Sequence, residues 1–221
     1  MPATVASCLE AAYHTAHEGE IVRPSRLAEW LGVSPSTVTG VVQRLCAQGL
    51  PVIRPDHSLT LTAQGVTVAS VIVRRHRAVE RWLTDEIGLD WAAADEEAGR
   101  ISHAFSDQLT YRILAKPGEP VTCPHGNEIP GVDGSARGLV NLADLVPELV
   151  APVPRVSEVA EREAPQLLSP LDRGGLRIGV ELAVIRPSGL GGSRSWGSPS
   201  DRPGLGGGRV GLGRPQSGSG S

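Results

Sequence analysis

Lysine is almost missing from this chain: Lys116 stands alone among 21 basic residues. Positive charge is therefore carried by arginine, whose planar fork of donors suits phosphate and carboxylate oxygens better than a compact ammonium does. Cysteine pairs are also missing. Cys8, Cys46 and Cys123 are odd in number, widely separated and form no CxxC, which excludes a disulfide framework or a zinc knuckle and fits a reducing cytoplasm. No run approaches the roughly 18 apolar residues of a membrane span, and the N-terminus lacks a basic segment followed by an apolar stretch. The expectation is a cytoplasmic protein with no membrane partner. Nor is there a GxSxG, an HExxH, a phosphate loop between strand and helix, or a paired-carboxylate constellation, so the sequence offers no catalytic machinery and is read as a non-enzyme.

What is present is uneven charge. In residues 1–81, eight arginines face six carboxylates; in 82–188, nine basic residues face 17 acidic ones; in 189–221, four arginines face one aspartate. A basic front and an acidic middle predict two tasks, one toward a polyanion and one toward a cation.

The first 62 residues carry clear punctuation. Val5, Leu9, Ala12, Tyr13 and Ala16 fall at helical spacing in an alanine-rich stretch from Val5 to His17. Pro24 and Ser25 open a second helix that stops at Gly32; Ser34 as N-cap and Pro35 as first residue open a third, running to Gly49. Helix, glycine turn and helix make a helix-turn-helix. Val52–Arg54 and Ser58–Leu61 then flank Pro55-Asp56-His57, which predicts a short antiparallel wing.

In such a unit the second helix enters the major groove, where base edges carry a distinct donor and acceptor pattern. Val38, Val41, Val42 and Leu45 must face inward, which turns Ser34, Ser36, Thr37, Thr39 and Gly40 outward, with Gln43 and Arg44 one turn on. These are the candidate DNA-reading residues, and Arg54 with His57 of the wing is placed for phosphates. A winged helix that binds protein instead is the alternative.

Thr62 caps a long helix with apolar positions from Val66 to Ile87, ended by Gly88; helices over roughly 92–105 and 106–115 follow. Cys123-Pro124-His125-Gly126-Asn127 reads as an irregular structural loop, although its Cys and His also suit a metal. Leu142–Val156 and Gly179–Ile185 suggest a small β-rich module, with a short helical piece near Pro165–Leu168 between them. The final 33 residues are dominated by Gly, Ser, Arg and Pro and are expected to be disordered.

The stretches Arg75-His76-Arg77-Ala78-Val79-Glu80-Arg81-Trp82-Leu83, Gly88-Leu89-Asp90-Trp91, His103-Ala104-Phe105-Ser106-Asp107 and Cys123-Pro124-His125-Gly126-Asn127-Glu128-Ile129-Pro130, in this order and spacing, resemble the diphtheria toxin repressor or iron-dependent regulator family over about residues 1–188. The resemblance implies a mostly α fold: a winged helix-turn-helix over 1–72, a helical dimerisation and metal-binding domain over 73–133, an SH3-like, ferrous-transport-type module over 139–188, incomplete because low-complexity sequence follows Ile185, and the tail over 189–221. It further implies a homodimer that binds a palindromic DNA operator when loaded with Fe(II) or Mn(II), Zn(II) or Co(II) serving in vitro, and so controls metal homeostasis.

His76 and Glu80 lie four apart on one helical face and can converge on one ion, and imidazole with carboxylate suits a first-row metal. The resemblance makes these two the core of an ancillary site, with Asp95 from the next helix and Glu163 and Gln166 from the third domain. The family's primary site is reduced here: His103 is kept, but Ser7, Gly99 and Ser102 stand where stronger ligands are usual, and Glu10, one turn from Ser7, is the compensating donor of manganese-type members. The alternative is a metal-independent winged-helix regulator. A solvated charged face for His76 and Glu80, and a packing role for His103, also remain open.

Overall fold

Small side chains let the first helix lie close to its neighbours. In the computed structural model, which describes residues 2–116, 121–132, 139–140 and 150–183, α1 (Ala3–His17) buries Ala6, Cys8, Leu9, Ala11 and Ala12. It packs against α2 (Pro24–Leu31), α3 (Pro35–Ala47) and the long α4 (Ala63–Trp82). Leu27, Val38, Val41, Val42 and Leu45 complete this core, each 3% exposed or less.

The predicted punctuation is built as expected. Ser34 Oγ accepts the Thr37 amide at 3.2 Å at the start of α3, and Gly32, at φ 63°, closes α2 in the left-handed region. The wing pairs β1 (Pro51–Ile53) with β2 (Leu59–Leu61) in antiparallel register, Val52 opposite Thr60. His57 takes φ 62° at its tip, and Asp56 accepts both the amide and the hydroxyl of Ser58.

Thr62 welds the wing to α4. Its Oγ1 accepts the Gly65 amide at 3.0 Å and reaches the Gly49 carbonyl at 2.7 Å, while its own amide donates to the Leu50 carbonyl at 2.8 Å. α4 does not run unbroken to Gly88, as its apolar pattern suggested: after Trp82 the chain widens into a π-helical turn over Leu83–Ile87 before Gly88 ends it at φ 78°. Likewise the segment expected to be helical over 92–105 is divided. α5 (Trp91–Ile101) passes into a single 3-10 turn at Ser102–Ala104, and Ser106 caps α6 (Asp107–Leu114). A second apolar layer, Ala78, Ile113, Leu114 and Ile129, and a third, Val79, Leu83, Ala94 and Ala98, share Trp82 and Phe105 as packing neighbours.

The chain divides into two units. Met1–Ala136 with Arg155–Leu176 form one; Arg137–Pro154 with Arg177–Ser221 form the other. α7 (Glu158–Glu163), a 3-10 turn at Pro165–Leu167 and α8 (Leu168–Arg173) therefore belong with the helical body. In the second unit β3 (Val150–Pro152) pairs antiparallel with β4 (Glu181–Ala183). The rest of the expected β module, residues 141–149 and 184–188, and the tail over 189–221 lie outside the described residues. Among the described residues no helix is long and apolar enough to cross a membrane.

The weld at Thr62 has a steric consequence. A Cβ on Gly65 would sit 2.0 Å from the Leu50 carbonyl oxygen, a backbone atom that cannot step aside. Gly65→Ala is expected to destabilise the fold by about 1–3 kcal/mol, whereas Gly99→Ala, in open space within α5, should stabilise it by about 0.5–1 kcal/mol. Denaturant midpoints of the two variants check this; equal shifts of one sign would contradict it.

Candidate metal centre and nucleic-acid face

Five elements converge on the inner face of α4. From α1 come Glu10 and His14; α4 supplies His76, Arg77 and Glu80; α5 supplies Asp95; the loop after α6 supplies Cys123 and His125; α7 supplies Glu158 and Glu161. Helical periodicity explains the first two contributions, because Glu10 and His14, and His76 and Glu80, are four apart and share a face.

His76 stands at the centre. Its Nδ1 lies 3.3 Å from Glu10 Oε1, and its Nε2 lies 3.7 Å from Glu80 Oε1 and 3.5 Å from Asp95 Oδ1. His125 Nδ1 lies 3.4 Å from the same Glu80 Oε1 and 3.3 Å from Glu161 Oε2. The Trp91 ring meets the His125 ring edge to face at 5.1 Å. Asn127 steadies Glu161 by donating to Oε1 at 3.1 Å, and its other donor bond goes to the Val156 carbonyl. Arg77, 3% exposed, donates to Glu158 at 2.6 Å and to the Glu128 carbonyl, and lies 3.4 Å from His14 Nδ1.

The electrostatics follow from burying acids together. Burial opposes a proton on His76, yet Glu10, Glu80 and Asp95 raise its pKa well above the usual histidine value. Burial also works against His125, but Cys123, Glu161 and Glu80 push it up to about 12. Glu10 is raised by burial and by its acidic neighbours, and burial with Glu158 raises Glu161 to about 8. His14 behaves oppositely. Burial, with Arg77 and His76 beside it, lowers it to about 4, so it is neutral.

The groove-sized helix, α3, packs against α1 and α2. Ser34, Ser36, Thr37, Thr39, Gln43, Arg44 and Arg54 are exposed and Gly40 is half-buried, while Val38, Val41, Val42 and Leu45 are buried. The hydroxyls are preorganised: Ser34 Oγ lies 2.9 Å from Ser36 Oγ and 2.8 Å from Thr37 Oγ1, and Thr39 donates to the Pro35 carbonyl at 2.9 Å. Arg44 Nε donates to the Gly40 carbonyl at 3.1 Å and Arg54 Nε to Thr60 at 2.6 Å, which leaves the guanidinium ends of both outward.

Two family models cover this arrangement: an iron-dependent repressor N-terminal DNA-binding domain matches residues 3–59, and an iron-dependent repressor metal-binding and dimerisation domain matches residues 62–131. The diphtheria toxin repressor of Corynebacterium diphtheriae is 33% identical over 187 residues, 80% of this chain and 82% of that protein. The chain belongs to the iron-dependent repressor family. The iron-dependent repressor IdeR of Mycobacterium tuberculosis is 37% identical over 124 residues, 56% of this chain and 54% of that one. Among solved structures, a manganese-dependent transcriptional repressor in complex with manganese superposes with a TM-score of 0.71 at 34% identity, over 81% of this chain and 83% of that one.

Within this family member the ligand set expected from sequence is only partly assembled. Glu10, His76, Glu80 and Asp95 are brought together. Glu163 is not: it pairs with Arg26 at 2.7 Å on the surface, and Gln166 is exposed. The donors that α7 turns inward are Glu158 and Glu161, because residues two or five positions apart point to different sides of a helix. His103 is exposed, and it joins no group of three ligating side chains among the described residues. It lines a cavity of about 310 Å³ with Ser102, Arg75, Thr67 and four apolar residues, without a carboxylate. Cys123 and His125, read as a structural loop, are 1% and 0% exposed and form a triad with Glu80. No spacing rule links these residues to Glu80 across 43 and 45 positions, so only the Cys-Pro-His pairing itself signalled them.

The residues fit a metal. Glu10 Oε1, His76 Nδ1 and both His125 ring nitrogens are buried without a hydrogen bond, which is costly unless another partner takes them. Two triads, His76–Glu80–Asp95 and Glu80–Cys123–His125, each hold their ligand atoms within 4.8 Å of one another.

An ion must displace the proton that the carboxylates hold on His76. Calorimetric titration of Mn(II) in buffers of different ionisation enthalpy is therefore expected to show net proton release. Apparent affinity should keep rising with pH through neutrality rather than levelling near 6.5. A plateau above pH 6.5 with no proton release contradicts this.

Proposed function

We propose that this chain is a homodimeric repressor whose grip on duplex DNA is tightened by a divalent first-row ion, Fe(II) or Mn(II), held by Glu10, His76, Glu80 and Asp95. The reading rests on one observation above others: Glu10, on the first helix of the DNA-reading unit, meets His76 of α4 at 3.3 Å inside a buried acidic cluster. When bound there, the ion supplies positive charge and fixed coordination among donors from three helices. α1 is thereby tied to α4, and α2 and α3, which share its core, take a fixed pose relative to the helices that carry the dimer.

Two further features support the reading. α6 leaves Leu109 and Tyr111 45% and 63% exposed, an apolar surface that suits a second copy. α3 offers hydroxyls for base edges and phosphates with Arg44 behind them, and two such helices in a symmetric dimer suit half-sites about one helical turn apart. The acceptor is then a palindromic operator, and a regulator of this kind acts on metal homeostasis in the cytoplasm, where the duplex is.

The reading is tested with duplexes selected from a random pool by the full chain in Mn(II). Fluorescence anisotropy should give binding at least tenfold tighter in Mn(II) than in chelator, within the range usual for linked equilibria. Glu10→Gln should shrink that ratio without weakening binding in chelator. Equal affinity in metal and chelator contradicts the proposal.

Arg44→Ala should instead weaken binding in both conditions and lower the slope of log K against log salt by about 0.9, one phosphate contact. An unchanged slope would place Arg44 off the backbone.

A further inference from the structure

We propose that the buried cluster holds two ions at once, bridged by Glu80, rather than one. The proposal rests on the reading of the cluster as a metal centre and deepens it by giving that centre its nuclearity and a sulfur ligand.

Both imidazoles approach the same carboxylate oxygen: Glu80 Oε1 lies 3.7 Å from His76 Nε2 and 3.4 Å from His125 Nδ1. The two ligand triads meet only in Glu80. Donors around one first-row ion stand about 2.0–2.3 Å from it and so no more than roughly 4.6 Å from each other. Each triad, within 4.8 Å, meets that limit after a slight contraction; the combined set does not form one such group. A carboxylate that faces both groups of donors is the natural bridge between two neighbouring cations.

Charge leads to the same count. Among the carboxylates of the cluster, Glu158 is already matched by Arg77 at 2.6 Å. Glu10, Glu80, Asp95 and Glu161 remain, with no arginine or lysine among their ion pairs within the described residues. With Cys123 as a thiolate, five negative charges beside neutral imidazoles are left one short by two dications and three short by one. The second ion would lie among Glu80, Cys123, His125 and Glu161. His125 has neither ring nitrogen hydrogen-bonded although it is fully buried, and the Cys123 amide donates to the Asn127 carbonyl at 2.8 Å, which closes the loop around that pocket. One site is thus oxygen- and nitrogen-rich, the other contains sulfur. Softer ions are expected to favour the second.

Co(II) titration of the metal-free full chain, followed by metal analysis and absorption, decides it. The wild type should take up two Co(II) per chain, one of them bringing a near-ultraviolet sulfur-to-cobalt charge-transfer band. Cys123→Ser, nearly the same size, should lose the band and one Co(II). His76→Ala should lose one Co(II) and keep the band, Glu80→Gln should weaken both sites at least tenfold, and His103→Ala should retain two. One Co(II) per chain in the wild type, or two without the band, overturns the proposal. These results are separable from the function itself: two Co(II) bound with DNA affinity unchanged by metal would keep the centre and sink the repressor reading, while one Co(II) with metal-dependent DNA affinity would do the reverse.

Discussion

Everything in this molecule turns on the inner face of α4, where acids from three other segments gather with Glu80 around two histidines. Burying a carboxylate costs several kcal/mol unless a cation or several donors compensate. Here the compensation for the buried Glu10 comes from His76, which also pairs with the part-exposed Asp95. Such a cluster is poorly satisfied when empty, with four buried polar atoms in Glu10, His76 and His125 that have no hydrogen bond. On the proposed reading, that imbalance is what makes the cluster responsive to an ion. A centre already neutral would gain little from an added cation, whereas this one gains both charge balance and ligand bonds, and spends them on joining helices that belong to different functional layers.

α7 extends the same device to the C-terminal side. Glu158 and Glu161 enter the cluster, while the neighbouring Arg162 donates to the Trp30 carbonyl at the end of α2 and Glu163 pairs with Arg26 on that helix. Arg155, just before α7, forks onto both carboxylate oxygens of Glu18 at the end of α1, at 2.7 and 2.9 Å. A six-residue helix has little stability of its own. These side-chain bonds, with the Ser157 cap, are what hold α7 in place, so its inward acids and its outward ties to the reading unit rise and fall together.

The reading unit was legible in the residues because its signals are local. Ser34 and Pro35, Gly32, Thr62 and the wing turn each act within four residues, and the structure builds each of them. The outward set from Ser34 to Arg44 follows from which of its neighbours are apolar. The metal centre was legible only where helical spacing or family likeness reached. His76 and Glu80 pair by periodicity, but Glu161 and His125 arrive from distant segments, and nothing within a short window marks a residue whose partner lies 36 to 81 positions away. The choice of Glu163 and Gln166 erred in helical phase: two residues on from Glu161 is about 200° around the helix, which carries the side chain from the buried cluster to Arg26. The break of α4 at Trp82 was missed for a related reason, since a π turn keeps the apolar pattern while shifting its phase.

The central claim is that filling this cluster fastens α1 to α4 and so fixes the DNA-reading unit. Hydrogen exchange of the α1 amides in the full chain, with and without Mn(II), measures it most directly. The account predicts that protection across Ala3–His17 rises with the ion and that Glu10→Gln largely removes the rise, while protection in the wing strands changes little. Exchange in α1 that is the same with and without Mn(II), under conditions where calorimetry shows the ion bound, would contradict it.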